Sequence, residues 1–214
     1  MTELADTDSG RPADHAAARS SLKRAVDIVG AGVGLLLLSP LLVVVALLIK
    51  LDSSGPVLFP QDRHGCGGRV FRIWKLRSMT ASASREGFRQ ATIGDARITR
   101  IGHILRRSSI DELPQLINVL VGDMSLVGPR PHPLALDAEY RDAIPGYMDR
   151  YAVRPGMSGL AQVSGHRGPT PTVEAMAARV ALDLDYIRRW SPSLDLVILL
   201  KTVLPWWAEV RRGS

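Results

Sequence analysis

Ile28-Val29-Gly30-Ala31-Gly32-Val33-Gly34-Leu35-Leu36-Leu37-Leu38-Ser39-Pro40-Leu41-Leu42-Val43-Val44-Val45-Ala46-Leu47-Leu48-Ile49 is an uncharged run of 22 residues with eight Leu, five Val and two Ile. Each of those side chains favours insertion into a bilayer by about 0.3 to 0.6 kcal/mol, enough to outweigh the glycines and the proline. A straight helix of this length is about 33 Å long, sufficient to cross the hydrocarbon region. Pro40 cannot donate to the Leu36 carbonyl and crowds that turn, while the Ser39 hydroxyl is placed to bond back to a freed carbonyl, so a break at Ser39-Pro40 is expected. Lys23 and Arg24 precede the run, and Lys50, Arg63, Arg69, Arg72 and Lys75 follow it. A spanning helix sends one basic flank outward against the positive-inside tendency, whereas a re-entrant helix keeps both inside. The residues alone leave the two topologies open.

The glycines at 30, 32 and 34 suggest a dinucleotide-binding turn, but the third glycine of that motif belongs at position 35, which is Leu35. No second strand-helix-strand signal accompanies it, so this reading is set aside. Residues 1–20 mix Asp, Glu, Arg, Ser and Ala without apolar periodicity and read as a disordered tail, not as a cleaved signal peptide. The expected organisation is then a tail at 1–20, a membrane segment at 21–50 and one catalytic domain at 51–214. A chain of 214 residues suits a single core of that size.

The net charge of +6 and a pI near 10 suit phosphate-bearing partners or an anionic leaflet. Nucleic acid is disfavoured, since only 5% of residues are aromatic and no zinc-finger spacing or RNA-binding aromatic motif occurs. Cys66 is the sole cysteine, which excludes an internal disulfide and a cysteine-based zinc site and fits a reducing cytoplasm.

Beyond Lys50, apolar stretches on either side of a Gly-rich segment at 61–68 read as a short β-hairpin ending near Lys75. Residues 80–97 are polar and read as a loop. Helical spacing recurs at 98–107, 113–120 and 172–190, so the domain is expected to be mainly α with a small β-hairpin. Segment 190–212 carries Trp206 and Trp207 beside Arg211 and Arg212, which suits an interfacial amphipathic helix; a buried core helix fits equally well.

Asp111 and Glu112 adjoin in Ser108-Ser109-Ile110-Asp111-Glu112-Leu113-Pro114. Ser109 and Glu112 fit a capping box, or Asp111 is itself the cap, and either places both carboxylates at a helix start. Such a position satisfies free amides; it also keeps an Asp ionised and available as a nucleophile or metal ligand. A carboxylate that attacks phosphorus needs cations to neutralise its target. Two stiff Arg-Pro turns supply them, with Arg130 in Gly128-Pro129-Arg130-Pro131-His132-Pro133 and Arg154 in Val153-Arg154-Pro155-Gly156. No Gly-x-Ser-x-Gly elbow or phosphate-binding Gly-x4-Gly-Lys loop is present.

Ordered blocks from about Ser21 to Val203 resemble the bacterial sugar transferases, monotopic phosphoglycosyl transferases acting on polyprenol phosphate. They are Lys23-Arg24-Ala25-Val26-Asp27, Ser39-Pro40, Lys75-Leu76-Arg77-Ser78-Met79, Asp111-Glu112-Leu113-Pro114-Gln115-Leu116, Met124-Ser125-Leu126-Val127-Gly128-Pro129-Arg130-Pro131, Arg154-Pro155-Gly156, Gly159-Leu160-Ala161-Gln162-Val163 and Asp185-Tyr186-Ile187. The resemblance implies a re-entrant, Ser-Pro-broken helix in the inner leaflet of the bacterial cytoplasmic membrane. It also implies transfer of a sugar 1-phosphate from a UDP-sugar to undecaprenyl phosphate, with UMP released. Asp111 would be the nucleophile, forming a covalent phosphosugar intermediate, and Mg2+ would be held by Asp111 and Glu112. Arg130 and Arg154 would hold phosphate oxygens, and Lys75 and Arg77 would line a basic floor.

The blocks around residues 128–133 and 165–170 look most like members that transfer glucose 1-phosphate in exopolysaccharide pathways, with galactose the alternative. Four extra membrane helices that larger relatives carry ahead of this core are not in the chain, so a minimal catalytic form is expected. A homodimer is a candidate assembly. The rival classes are a non-catalytic membrane scaffold for glycan assembly, which need not keep Asp111, Glu112 and Arg130 together, and a membrane-tethered DNA regulator.

Overall fold

The structure, a computed structural model, describes residues 15–80, 92, 94–168 and 170–212, with side chains as far as 204. The first 14 residues of the expected tail lie outside that range. Its last part is folded: α1 (Ala16–Arg19) is one helical turn with Ala17 packed among Val127, Tyr186 and Ile198.

The apolar run lies inside α2 (Ser21–Asp52), whose first turn is capped by Ser20, its hydroxyl accepting from Lys23 N at 3.1 Å. The helix continues through Pro40, and Ser39 Oγ donates at 2.8 Å to the Leu36 carbonyl, the acceptor that Pro40 cannot serve. The two halves pack on one and the same unit. Ala31, Leu35 and Leu38 join Ile73, Leu116, Val119 and Met124, while Leu41, Leu42, Val45 and Ile49 join Leu76, Ile101, Leu105 and Ile110. The outward face stays apolar and uncovered, with Leu36 74% and Leu37 72% exposed.

The hairpin expected near 57–75 is β1 (Leu58–His64) paired antiparallel with β2 (Val70–Leu76), in register from Leu58 opposite Leu76 to His64 opposite Val70. Its turn is a short 3-10 segment in which Gly67 and Gly68 take φ of 69° and 72°. Most of the polar loop 80–97 lies outside the described residues, but its ends are joined by a bridge between Met79 and Ile98.

Helix α3 (Arg100–Ser108) and helix α4 (Gln115–Val121) match the periodic stretches. Gly102 of α3 rests directly on Ser78, where a Cβ would come within 2.0 Å of the Ser78 carbonyl oxygen. Strand β3 (Ser125–Val127) follows, then α5 (Leu134–Tyr140), a 3-10 turn at Tyr147–Ala152, and β4 (Gly156–Ser158), which pairs parallel with β3. Short α6 (Leu160–Val163) leads to α7 (Val173–Arg189), capped by Thr172, and to α8 (Pro192–Arg212). On α8, Ile198 is fully buried while Leu196, Val197, Leu200, Val203 and Leu204 are exposed, so one face joins the core and another is apolar and open. The Trp206, Trp207, Arg211 and Arg212 side chains fall outside the described residues.

Candidate active site

The link between α3 and α4 places the acidic pair. Ser109 ends α3 in the left-handed region at φ 58°, the one non-glycine residue with positive φ among those described. Ile110–Glu112 then forms a single 3-10 turn, and α4 begins only after Pro114. The expected capping box is therefore not formed. The reversal at Ser109 detaches its hydroxyl from any helix start, and Ser109 Oγ accepts instead from Arg167 Nη2 at 2.5 Å. Asp111 caps nothing either.

Glu112 is held from two sides. Arg130 Nη1 donates to Oε2 at 3.0 Å and Nη2 to Oε1, and Lys75 Nζ donates to Oε1 at 2.8 Å. Burial raises its carboxyl pKa, but Arg130 and then Lys75 outweigh burial and hold it well below the usual range. Asp111 is 7% exposed, and its carboxylate accepts no hydrogen bond from the described residues. Burial, reinforced by the Glu112 charge and opposed by Lys75, Arg106 and Arg130, pushes Asp111 up to about 6. It is thus ionised at neutral pH and weakly solvated, the condition of an activated carboxylate nucleophile.

Lys75, Arg106, Ser109, Asp111, Glu112, Arg130 and Arg167 line one open cleft. Of the expected phosphate-binding residues, Lys75 and Arg130 are there but bound to Glu112. Arg77 and Arg154 are elsewhere. Arg77 is 4% exposed and donates to the Ser53 carbonyl at 2.6 Å, fastening the end of α2 to the hairpin, while Arg154 Nε donates to the Gly122 carbonyl at 3.0 Å behind α4. Their chain neighbours looked like substrate loops, yet both side chains turn inward to carbonyls. Arg106 and Arg167, which sequence reasoning passed over, face Asp111 with no carboxylate partner among the described residues. Arg106 lies five residues before Asp111 on the preceding helix, and Arg167 lies within the 165–170 block already singled out.

A buried polar network supports the Arg130 loop, and it too carried no sequence signal beyond scattered residues. Arg150 Nη2 donates to the Arg130 carbonyl at 2.7 Å and to Asp183 Oδ2 at 2.5 Å. Asp137 accepts from Tyr147 at 2.8 Å, from Tyr151 at 2.8 Å and from His64 Nδ1 at 2.6 Å. Arg63 Nη1 donates to the Pro131 carbonyl at 3.1 Å. Burial and then Arg150 hold His132 well below the usual imidazole range, so it stays neutral inside this network. Although the Nε atoms of Arg63 and Arg150 have no partner among the described residues, such a shell fixes a loop more firmly than its prolines alone.

No group of three or more His, Cys, Asp or Glu among the described residues is placed to hold a metal ion. Glu112, faced by two cations, does not fit as an ion ligand in this arrangement. Asp111 does, because Mg2+ commonly takes one carboxylate together with substrate phosphates and water.

A buried, ionisable Asp thus lies on a positively lined cleft of a domain whose long apolar helix is left uncovered, by length and composition long enough to cross a membrane. The bacterial sugar transferase family model matches residues 18–209, and the chain belongs to that family. It is 56% identical over 181 residues to a UDP-glucose:undecaprenyl-phosphate glucose-1-phosphate transferase of Caulobacter vibrioides, covering 85% of this chain and 68% of that one. It is 52% identical to the Escherichia coli protein of the same name, covering 85% of this chain and 39% of the relative, so the chain spans about two fifths of that protein's length. It is 49% identical to the exopolysaccharide production protein PSS of Rhizobium leguminosarum, covering 90% of this chain and 97% of the relative.

Proposed function

We propose that the protein transfers a sugar 1-phosphate, with glucose 1-phosphate the first choice, from a UDP-sugar to undecaprenyl phosphate at the inner leaflet of the cytoplasmic membrane. One observation carries the reading: Asp111 is the free carboxylate of a cationic cleft, next to a glutamate already neutralised by Arg130 and Lys75. The relatives' names supply the donor and acceptor, and the exopolysaccharide context comes from the Rhizobium relative.

In the first step an Asp111 oxygen attacks the β-phosphorus of the donor, the bond from that phosphorus to the bridging oxygen breaks, and UMP leaves. In the second, a phosphate oxygen of the lipid attacks the same phosphorus, the bond to Asp111 breaks, and a lipid diphosphosugar forms. One phosphoanhydride replaces another, so positioning and charge neutralisation are the main demands on the protein. Arg106 and Arg167 answer the donor's charge, and Glu112 keeps Arg130 and Lys75 fixed beside the reacting phosphorus. Mg2+, bound by Asp111 with the donor's diphosphate, would add further neutralisation.

A re-entrant course for α2 accords with its anchoring. Its start binds the domain through Lys23, Arg24 and Asp27, and its end does so through Asp52, whose Oδ2 accepts from Ile101 N at 3.1 Å. Anchoring of both ends to one domain supports a helix that enters and leaves the bilayer on the same side. The deciding experiment is UMP release from UDP-glucose by the purified chain with Mg2+ and undecaprenyl phosphate. Release that disappears in Asp111→Asn supports the reading, and no release with any UDP-sugar overturns it.

A further inference from the structure

Lys23, Arg24 and Asp27 occupy one turn at the start of α2, where flanking charges commonly meet lipid headgroups. Here all three bind protein, and each holds a part of the frame around the acidic pair. Lys23 Nζ donates to the Val127 carbonyl at 2.9 Å, three residues before Arg130. Arg24 Nη1 and Nη2 donate to the Val119 and Leu120 carbonyls at 2.6 and 2.7 Å, closing the end of α4, the helix that starts three residues after Glu112. Asp27 Oδ1 accepts from Ser125 Oγ and Leu126 N, both at 2.9 Å, at the start of β3.

The second uncovered helix reaches the same lysine. Tyr186 OH gives its one proton to Asp195 Oδ1 on α8 at 2.8 Å and accepts from Lys23 Nζ at 3.2 Å, while Asp195 Oδ2 accepts from Lys23 Nζ at 2.6 Å. Trp190 Nε1 donates to Asp195 as well, at 3.1 Å. The donor to Val127 O thus comes from α2, and it is itself held by Asp195 of α8 and by Tyr186. Lys23 is 8% exposed and Asp27 3%, so neither is available to lipid.

We propose that Lys23, backed by Tyr186 and Asp195, is a positioning residue: it makes the placement of Arg130 against the acidic pair depend on α2 and α8 both being docked. Seating of those two apolar helices at a lipid surface then sets the geometry of the transfer site. The proposal rests on the transferase reading, because Arg130 matters to a rate only if the cleft is catalytic. A purely structural role for the cluster would instead lower stability and all functions together.

The test uses the full chain in phospholipid vesicles that contain undecaprenyl phosphate. Lys23→Met is expected to float with the vesicles like the wild type and to keep the donor KM, while kcat falls about 10- to 100-fold, the scale of a reacting group displaced by about 1 Å. Lys23→Arg, which still donates to a carbonyl and pairs with Asp195, is expected to regain most of the rate. Tyr186→Phe removes the hydroxyl that links Asp195 to Lys23 and leaves the ion pair; its kcat should fall about threefold or more while donor KM and vesicle binding stay at wild-type values. Wild-type kcat in both Lys23→Met and Tyr186→Phe overturns the proposal, as does loss of vesicle binding in step with rate. Amide exchange at Gly128, Arg130 and His132 gives a readout without turnover: faster exchange in Lys23→Met supports the proposal, and unchanged exchange overturns it. If the wild type releases no UMP, the transferase reading fails and the exchange result still decides this one.

Discussion

Arg130 closes on both carboxylate oxygens of Glu112, whereas Asp111, one residue earlier, accepts no hydrogen bond from the described residues. Adjacent carboxylates in one cleft are thus split into a clamp and a free group. The clamp lowers one pKa while burial raises the other, the pattern that separates a structural carboxylate from a reactive one.

The acid limb of kcat/KM should reflect Asp111. Attack requires the ionised form, so kcat/KM should rise tenfold per pH unit below about 6 and level off above it. Glu112 is ionised throughout that range and adds no second limb. A profile flat down to pH 4.5 would remove Asp111 from the role.

The same shift has a cost in stability. Asp111 holds its proton more tightly folded, at about 6, than at its ordinary value of 3.8. The stability this confers is complete below pH 3.8 and is lost as pH rises through 6. At neutral pH the ionised group therefore costs up to about 3 kcal/mol. Asp111→Asn should melt a few degrees higher than wild type at pH 7.5, with the gain shrinking at pH 4.5. A lower melting temperature at pH 7.5 would contradict the assignment.

Cleft and non-cleft arginines should separate in kinetics. Arg106→Ala and Arg167→Ala are expected to raise the donor KM about tenfold each, the loss of one charge-assisted contact. Arg77→Ala and Arg154→Ala should leave KM alone. Removing Arg77 uncaps the Ser53 and Ile49 carbonyls at the end of α2 and should appear as lower thermal stability. Equal KM effects from all four would mean that the cleft is misplaced.

Gly156→Ala is expected to be far more damaging than an ordinary strand substitution. A Cβ there would lie 2.1 Å from Gly128 N and 2.4 Å from the Ser158 carbonyl oxygen, both backbone. The parallel pair β3–β4 would have to part and carry Arg130 with it, costing about 2 kcal/mol or more. Normal melting and activity in that variant would show that the close approach is not needed.

Elements with strong periodicity or turn chemistry were legible from the residues: the hairpin, α3, α4, α7 and the apolar helix all fall where spacing places them. The parallel β3–β4 pair was not, because strands of three residues leave no alternation to read. Helix α5 begins within a proline-rich stretch that reads as loop. At the site, the acidic pair, Lys75 and Arg130 were visible through their neighbours, but Arg77 and Arg154 sit in equally suggestive blocks and face the interior. Which way a side chain turns from a stiff loop depends on distant carbonyls, here those of Ser53 and Gly122, and no local pattern encodes that. Arg150 and Asp183 are likewise separated by 33 positions and meet only in the fold.

The two packing clusters shared by α2 make the apolar helix a structural member of the domain. Ala31 and Leu116 lie in one core, Val45 and Leu105 in another, on opposite sides of Pro40. An anchor that merely tethers could be exchanged for any other hydrophobic segment, or trimmed away to give a water-soluble enzyme. This one could not, because cutting the chain at Asp52 strips one wall from each core. Biogenesis is constrained in the same way: neither core can close until α2 is seated against the downstream chain, so the apolar helix folds as part of the domain.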